Sequence, residues 1–359
     1  MLCRRDAGRR PPGAASGLHA ARRVLDQAWL CRGARADHAA FVEGTRRGSG
    51  AGERDAILAA AMVSFTVAAA QYPVDRLEGW DAYEAKLTRW VEEAATAGAK
   101  LAVFPEYGAM ELASLDSATM GDLALSIETV SSLLPRVDAL HAELAGQTGM
   151  HILAASAPRK DADGRFRNAA RLFAPNGRSG VQDKLVMTRF EREQWHIAAG
   201  STLRVFDTAL GRLAVTICYD SEFPLLARAC TEAGAQVVLV PSCTDSLHGY
   251  WRVRIGAQAR ALEGQCYAVH SPTVGEAEWS PAVDVNRGAA GVYGPPDRGM
   301  PEDGVLAIGD EGAAQWVLAE VDTARVAELR ADGGVLNALH WTEQPGAAPL
   351  PPVEIVDLR

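Results

Sequence analysis

The 359-residue sequence contains few lysines and lacks several common functional signatures. Lysine occurs only four times, at Lys86, Lys100, Lys160 and Lys184. No apolar run approaches the roughly 18 residues that a membrane-spanning helix needs, so no membrane helix is predicted. The six cysteines form no CxxC pair and have no zinc-like spacing to the histidines, so neither a metal site nor another cofactor is predicted. A chain of this size needs no disulfide scaffold, which favours a reducing cytoplasm.

Charge is distributed unevenly along the chain. Residues 1–61 carry 11 arginines and 6 acidic side chains, a net charge of +5. Residues 62–359 carry a net charge of −14, which brings the whole chain to −9. An acidic body of this kind argues against nucleic acid as a partner, because the phosphate backbone is bound by basic surfaces.

Residues 1–61 show no sustained hydrophobic periodicity and are rich in Arg, Ala and Gly. An Arg-rich segment is typical of a transit peptide, although the six acidic residues count against that interpretation. A basic arm for an acidic partner is a second interpretation. We favour a third, in which the segment is disordered or precedes the true start, because Met62 stands immediately before the first convincing strand.

From Ser64 onward, strand-like and helix-like patterns alternate. Short apolar runs predict strands at 64–71, 101–104, 151–155, 170–174, 181–187, 202–206, 213–217, 236–240, 265–270 and 315–321. Helical spacing of apolar residues predicts helices at 80–97, 127–144, 224–233, 249–262 and 323–329. This order predicts a layered α/β domain over residues 62–330. Residues 331–359 are rich in proline, and we expect an extended tail that lies over a surface, either of the same chain or of a partner subunit.

Cys218 is the first candidate for a chemical role. It ends the apolar run Leu213–Ile217 and is followed by a helix-like stretch. The N–H groups and positive partial charge of a helix N-terminus favour a thiolate, and later an oxyanion. The alternative is that Cys218 is a buried, inert thiol that packs as a small hydrophobic residue. Neighbouring chemistry must decide between the two.

Glu106 and Lys184 occupy positions that are comparable with that of Cys218. Glu106 follows a predicted buried strand, and Lys184 interrupts the apolar pattern of another. Groups beyond the carboxyl ends of strands line the ligand crevice in α/β folds. Burial raises the pKa of a carboxyl group that has no cation beside it, which makes Glu106 a candidate general base. Taken alone, Lys184 fits a charged residue on an edge strand better than a buried cation.

Together these residues resemble the nitrilase superfamily of carbon–nitrogen hydrolases, which uses a Glu-Lys-Cys triad. The resemblance extends over most of residues 64–322. It rests on ordered motifs: the strand ending at Gln71, Val103-Phe-Pro-Glu106, Asp183-Lys-Leu185, Gly200, Ile217-Cys-Tyr-Asp220, Phe223-Pro224, Leu239-Val-Pro-Ser242, Ala259-Arg-Ala-Leu-Glu263 and Gln265-Cys-Tyr-Ala268. It implies a four-layer αββα sandwich with the active site at the strand ends. It also implies a homodimer or higher homo-oligomer, since family members commonly pair through outer helices.

The resemblance assigns a role to each triad residue. Cys218 would attack a carbonyl carbon, and Lys184 with the backbone N–H of Tyr219 would stabilise the oxyanion. Glu106 would take the thiol proton, pass it to the leaving amine and then activate water. The family often has a second glutamate after the lysine. Glu191 and Glu193 both fit that position, and we favour Glu191.

Position in the motifs makes Tyr107, Tyr219 and Ser242 candidates for lining the substrate pocket. Cys243 is interpreted as a core thiol, as are Cys230 and Cys266. Arg260 and Glu263 lie one helical turn apart and are interpreted as a structural ion pair. The loops near residues 107–126, 188–199 and 271–300 carry no readable motif, although they would shape the pocket.

The Cys-Tyr-Asp sequence followed by Phe-Pro is similar to the amidase and carbamoylase branches of the superfamily. The implied reaction is hydrolysis of a small amide through an acyl-enzyme. A nitrilase acting on nitriles and a catalytically silent family member that serves as a binding module are the alternatives; an N-acyltransferase would usually carry membrane helices. Glu222 stands where many relatives carry Arg, which disfavours a substrate carboxylate at that point. A neutral or cationic amide is therefore the expected substrate class.

Overall fold

The computed structural model describes residues 61–344 and 351–359. The predictions made for residues 1–61 fall almost wholly outside this part. The strands are β1 Ser64–Pro73, β2 Ala99–Val103, β3 His151–Lys160, β4 Phe166–Phe173, β5 Ser179–Asp183, β6 Leu203–Thr208, β7 Gly211–Val215, β8 Val237–Ser242, β9 Tyr267–Glu276, β10 Val285–Asn286, β11 Gly291–Tyr293, β12 Val305–Ile308, β13 Gln315–Asp322 and β14 Val353–Asp357. The helices are α1 Trp80–Thr96, α2 Leu123–Thr148, α3 Arg189–Glu193, α4 Pro224–Glu232, α5 Leu247–Gly264, α6 Thr323–Asp332 and α7 Asn337–His340. Short 3₁₀ helices cover Gly108–Leu115, Cys218–Glu222 and Trp341–Glu343.

The strands form two sheets. The first has the order β13-β1-β2-β3-β4-β5, with β1, β2 and β3 parallel and the other pairs antiparallel. The second has the order β14-β6-β7-β8-β9-β11-β12, in which β7, β8 and β9 are parallel. A short parallel pairing of Tyr72 with Thr273 joins β1 to β9 and connects the two sheets.

Alternation of side chains along β1 explains the layering. Val67 and Ala69 face the second sheet, whereas Ala68 and Ala70 pack beneath α1 and α2. On the far side, Cys230 of α4 packs against the outer face of the second sheet. Because both faces of each sheet are covered over its central part, β1 to β4 and β6 to β9 are nearly continuous runs of buried residues. The predicted four-layer αββα sandwich is confirmed.

One predicted strand ends early. The sequence predicts a strand over 181–187, but β5 ends at Asp183, and Lys184 lies just beyond it. The Lys184 backbone N–H still donates to Asn168 O at 2.8 Å. The next two N–H groups, of Leu185 and Val186, donate to the Asp220 carboxylate instead of to a strand. A side chain therefore terminates the ladder.

The regions without readable motifs also contain regular structure. β9 runs to Glu276, and β10 and β11 lie within the 271–300 stretch. In the C-terminal segment, Val353–Asp357 form β14, which adds a parallel strand beside β6 of the same chain. The described part of that segment is not uniformly extended, because Asn337–His340 form a helix.

Candidate active site

Three strand ends bring the predicted triad into one cavity. Glu106 follows β2 and Lys184 follows β5, so both come from the first sheet. Cys218 follows β7 of the second sheet and begins a 3₁₀ helix. All three line a cavity of about 650 Å³. The site is therefore assembled from both sheets, each of which presents strand ends to the same crevice.

Lys184 lies at the centre of the charged groups. Its Nζ donates to Glu106 Oε1 at 2.7 Å and to Glu191 Oε2 at 2.6 Å, and its side chain is buried. Burial by itself lowers the pKa of Lys184, but the two carboxylates raise it, and the net result is a pKa well above the ordinary value. Lys184 is therefore a fixed positive charge and not an edge-strand residue exposed to solvent.

Glu106 is held by three donors. Oε1 accepts from Lys184 and from Asn168 Nδ2 at 2.9 Å, and Oε2 accepts from the Cys243 backbone N–H at 3.0 Å. Burial raises the pKa of Glu106; the charge of Lys184 opposes the shift and the charge of Glu191 adds to it. The carboxyl group consequently accepts a proton more readily than an exposed one, as a general base must.

The two candidates for the second glutamate lie in different environments. Glu191 is buried and belongs to a capping box at the start of α3, where its Oε2 accepts from the N–H and Oγ1 of Thr188 at 2.8 Å each. Although burial alone raises its pKa, Lys184 and Thr188 lower it below the ordinary value. Glu193 points to the surface and pairs with Arg189 at 2.7 Å. Of the two, only Glu191 reaches Lys184.

Cys218 adopts a strained backbone conformation. Its φ is 49°, in the left-handed region that residues with a Cβ rarely adopt, and Tyr107 next to Glu106 has φ 54°. Burial raises the pKa of the Cys218 thiol well above its ordinary value, and the charge of Glu106 raises it further, although Lys184 opposes both. The influence of the helix N-terminus on the thiolate stays a prediction, and desolvation acts against it. The neutral thiol requires a base, and Glu106 lines the same cavity.

The pocket candidates are placed differently. Tyr107 and Tyr219 line the cavity, and Tyr107 donates its hydroxyl to Glu191 Oε1 at 2.8 Å. Tyr219 packs edge-on against Phe223. Ser242 does not line the cavity, which corrects the sequence prediction. It is buried, and its Oγ lies 2.7 Å from Nε2 of His270 on the neighbouring strand.

Two residues of the site were missed by sequence reasoning. Asn168 donates to Glu106, lies 3.4 Å from Glu191 Oε1, and accepts on its own Oδ1 from Ser156 at 2.6 Å. The sequence offered little signal for Asn168, because β4 also contains Arg167 and Arg171 and the predicted strand began only at residue 170. Cys243 is not a core thiol; it is partly exposed and lines the cavity, while its N–H holds Glu106. No sequence signal indicated the contact between Cys243 and Glu106, because the donor is the backbone N–H of Cys243.

Within residues 61–344 and 351–359, no three His, Cys, Asp or Glu side chains are placed to hold a metal ion. Likewise, no described helix is long and apolar enough to cross a membrane.

Arg260 and Glu263 form the expected ion pair at 3.1 Å, and Arg260 also donates to Ser221 O. The site therefore offers a thiol, a base, a buried cation and a second carboxylate.

The carbon-nitrogen hydrolase family model matches residues 66–330. The chain belongs to this family. The match covers the whole of β1 to β13 apart from the first two residues of β1, and it includes every residue of the candidate site. The resemblance to the nitrilase superfamily is thereby confirmed.

Curated relatives match over parts of their length. The probable hydrolase YhcX of Bacillus subtilis is 32% identical over 265 residues, which make up 74% of this chain and 51% of the relative. The omega-amidase NIT2-B of Xenopus laevis is 27% identical over 202 residues, 52% of this chain and 67% of the relative. The chain thus spans about half the length of the Bacillus protein.

Solved structures share the fold. The Caenorhabditis elegans NitFhit protein has a TM-score of 0.61 and 22% identity, over 76% of this chain and 64% of that one. XC1258 of Xanthomonas campestris, a CN-hydrolase superfamily protein with an arsenic adduct in its active site, has a TM-score of 0.61 and 19% identity, over 80% of this chain and all of that one. At these identities the likeness concerns the architecture.

Proposed function

We propose that the protein hydrolyses the carbon–nitrogen bond of a small amide through a thioester on Cys218. The observation that supports this most strongly is the position of Lys184. Its Nζ lies 2.7 Å from Glu106 Oε1 and 2.6 Å from Glu191 Oε2, in the cavity that Cys218 also lines. A buried base, a fixed cation and a thiol are the groups that acyl transfer requires.

In the first half-reaction, Glu106 accepts the Cys218 proton as Sγ forms a bond to the amide carbon. The carbonyl π electrons move to oxygen and give a tetrahedral oxyanion. The Lys184 ammonium and the backbone N–H of Tyr219 stabilise it; Tyr219 lies in the first turn of a 3₁₀ helix, where N–H groups have no partner within the helix. Collapse breaks the C–N bond, and Glu106 returns its proton to the departing nitrogen. Ammonia or an amine leaves.

In the second half-reaction, Glu106 takes a proton from water, whose oxygen attacks the thioester carbon. A second oxyanion forms at the same place and collapses with cleavage of the C–S bond. The proton returns from Glu106 to Sγ, and a carboxylic acid is released. Glu191 keeps its charge throughout because Lys184 and Thr188 hold its pKa low. It thereby orients the Lys184 ammonium.

The outer cavity supports a preference for neutral or cationic amides. Glu222 lines it with a side chain 21% exposed, and Arg252 is its cation partner at 3.4 Å. Asp245 and Asp284 also line the cavity and are exposed, so its three outer carboxylates outnumber the two exposed arginines that line it, Arg189 and Arg252. We expect a lower kcat/KM for the ω-amide of a dicarboxylic acid than for an uncharged or amine-bearing amide of equal length. Glu222→Gln should narrow the difference. The opposite preference in the wild-type enzyme would contradict the substrate class.

The reaction is tested by measuring ammonia release from a panel of primary amides and nitriles, with Cys218→Ala as the control. Amide hydrolysis that disappears in Cys218→Ala supports the proposal. Acid formation from nitriles with no amide turnover would instead identify a nitrilase. If neither protein turns over any compound while both retain their fold, the chain is a silent family member that serves as a binding module.

We also propose that the chain forms a homodimer or a higher homo-oligomer. Leu247, Trp251 and Ile255 are spaced four residues apart on α5 and are 48%, 48% and 60% exposed, so they form a stripe on one helix face. Light scattering coupled to gel filtration should give at least twice the 38.2 kDa of one chain. Trp251→Glu should shift the mass toward that of the monomer, whereas a wild-type monomer at micromolar concentration would contradict the assembly. A cytoplasmic location stays a prediction.

A further inference from the structure

Asp220 connects the segment that carries the nucleophile to the segment that carries the lysine. It lies two residues after Cys218 and is buried. Its Oδ1 accepts from the Val186 N–H at 2.7 Å, and its Oδ2 accepts from the Leu185 N–H at 3.1 Å. Both donors come directly after Lys184. The carboxylate therefore spans the gap between the second sheet, which presents Cys218, and the first sheet, which presents Lys184.

Three further hydrogen bonds hold the backbone of the Cys218 turn to its own half of the sandwich. Ser221 Oγ donates to Cys218 O at 2.6 Å, and the Asp220 N–H donates to Ile217 O at 2.9 Å. Arg260 of α5 donates to Ser221 O at 3.0 Å. Each of these bonds lies within the second half of the sandwich. None of them fixes where the turn lies relative to Lys184.

The Lys184 segment depends on Asp220 in a similar way. β5 ends at Asp183, so the N–H groups of Leu185 and Val186 have no neighbouring strand to pair with. A buried N–H without an acceptor is costly, which makes the Asp220 carboxylate a strong local constraint. Leu185 and Val186, which carry these two N–H groups, come directly after Lys184 in the chain. A shift of the Asp220 carboxylate therefore moves the backbone from which the Lys184 side chain extends.

We propose that Asp220 is a positioning residue that sets the separation of the Cys218 thiol and the Lys184 ammonium by bridging their two segments. This proposal rests on the function proposed above. A displacement of about 1 Å between reacting groups can cost about a hundredfold in rate. The bridge acts through the backbone, so it affects the bond-making step and not the affinity for substrate.

The bridge is sensitive to pH. Burial raises the pKa of Asp220 to about 7, although the charge of Lys184 and the N–H groups of Val186 and Leu185 oppose the shift; the charge of Glu106 adds to it. The carboxylate is charged above this value and neutral below it, and a charged acceptor makes the stronger hydrogen bonds. The bridge is thus strongest above pH 7 and weakens as the pH falls through 7. Protonation of Glu106 also lowers activity at low pH, but it does so in every variant that retains Glu106.

The experiment compares Asp220→Asn and Asp220→Ala in the full chain. Asn keeps one acceptor oxygen, so we expect kcat to fall about tenfold in Asp220→Asn and about a hundredfold in Asp220→Ala, with KM within about threefold of wild type. Asp220→Asn cannot titrate at this position, so it should lack the component of the kcat–pH profile that falls between pH 8 and 6. Asp207→Asn is the matched control, since Asp207 is an equally buried aspartate that does not line the cavity; it should keep both kcat and the profile.

A second measurement does not require turnover. Lys184 lowers the pKa of the Cys218 thiol, so a looser bridge should slow its alkylation by iodoacetamide at pH 7, read by mass spectrometry on the Cys218 peptide. This reading decides the proposal if Asp220→Ala does not fold or if no amide is turned over. Unchanged kcat, pH profile and alkylation rate in Asp220→Asn would overturn the positioning role. Lower stability alone would do so too, because it would show a purely structural residue.

Discussion

Lys86 and Lys184 are both buried lysines, and each forms ion pairs with two carboxylates. In each case one of the two carboxylates also accepts a hydrogen bond from a tyrosine hydroxyl. Lys86 of α1 donates to Glu111 Oε2 at 2.6 Å and lies 2.9 Å from Asp75 Oδ2. The Tyr72 hydroxyl donates to Glu111 Oε1 at 2.6 Å. This arrangement, which we call the Lys86 cluster, has the same types of group as Lys184 with Glu106, Glu191 and Tyr107, although Asp75 is 50% exposed. Only the latter group borders a cavity with a thiol.

The difference shows that the composition of a buried ion cluster does not define a reactive site. In the Lys86 cluster each N–H of the Lys86 ammonium has a partner in the protein, since the group also donates to Pro73 O at 2.7 Å. Its Nζ lies 4.1 Å from the centre of the Tyr72 ring. None of its members lines the cavity. Its position is nevertheless relevant, because Glu111 lies on the 3₁₀ helix that follows Glu106. It anchors that segment.

The largest expected effect separates the two lysines by activity. Lys184→Met should reduce kcat about a thousandfold, because it removes the cation that stabilises the oxyanion. Lys86→Met, assayed on the same amide, should remain within about threefold of wild type once it is folded. Equal losses in the two variants would show that the clusters share a role and would contradict the comparison.

The next effect separates them by stability. Lys86→Met leaves the Glu111 charge buried without its partner, so we expect a loss of about 3 kcal/mol in the free energy of unfolding, read from urea denaturation at pH 7. Lys86→Met combined with Glu111→Gln should recover part of this loss, since no uncompensated charge remains. A double variant no more stable than Lys86→Met would show that the cost comes from packing and not from charge.

The two glutamates beside Lys184 give a third test. Glu191→Gln should reduce kcat about a hundredfold, because the Lys184 ammonium loses the carboxylate that orients it. Glu193→Gln should leave kcat unchanged, since Glu193 is 55% exposed and pairs with Arg189. Kinetics on one amide substrate with both variants checks this. A larger loss for Glu193→Gln would reverse the assignment of the second glutamate.

Much of the architecture follows from local signals in the sequence. Buried strands can be recognised as apolar runs, and Glu106 and Cys218 could be placed at strand ends because each lies within two residues of the end of such a run. Lys184 was harder. Its strand ends at Asp183 because Asp220, which lies 35 residues after Leu185, accepts from the N–H groups of Leu185 and Val186, and no local pattern contains that information.

Side-chain direction and long-range pairing account for the remaining errors. Ser242 belongs to the motif used for the prediction, yet its hydroxyl contacts His270 on the adjacent strand. The next residue, Cys243, lines the cavity instead. Asn168 and the pairing of β14 with β6 likewise depend on contacts between distant segments. The Lys86 cluster was also missed, although helical spacing gave a signal, since Lys86 lies three residues after Tyr83 and four before Trp90, on the buried face of α1.

The smallest expected effect compares the two tyrosines. Tyr107→Phe removes one neutral donor from Glu191 Oε1, so we expect kcat to fall about fivefold while Lys184 and Thr188 continue to hold the other oxygen. Tyr72→Phe removes the matching donor from Glu111; it should cost about 1–2 kcal/mol of unfolding free energy and leave kcat unchanged. Kinetics and urea denaturation on both variants check this pair. If Tyr72→Phe lowered kcat as much as Tyr107→Phe, the Lys86 cluster would be contributing to catalysis through the segment that it anchors.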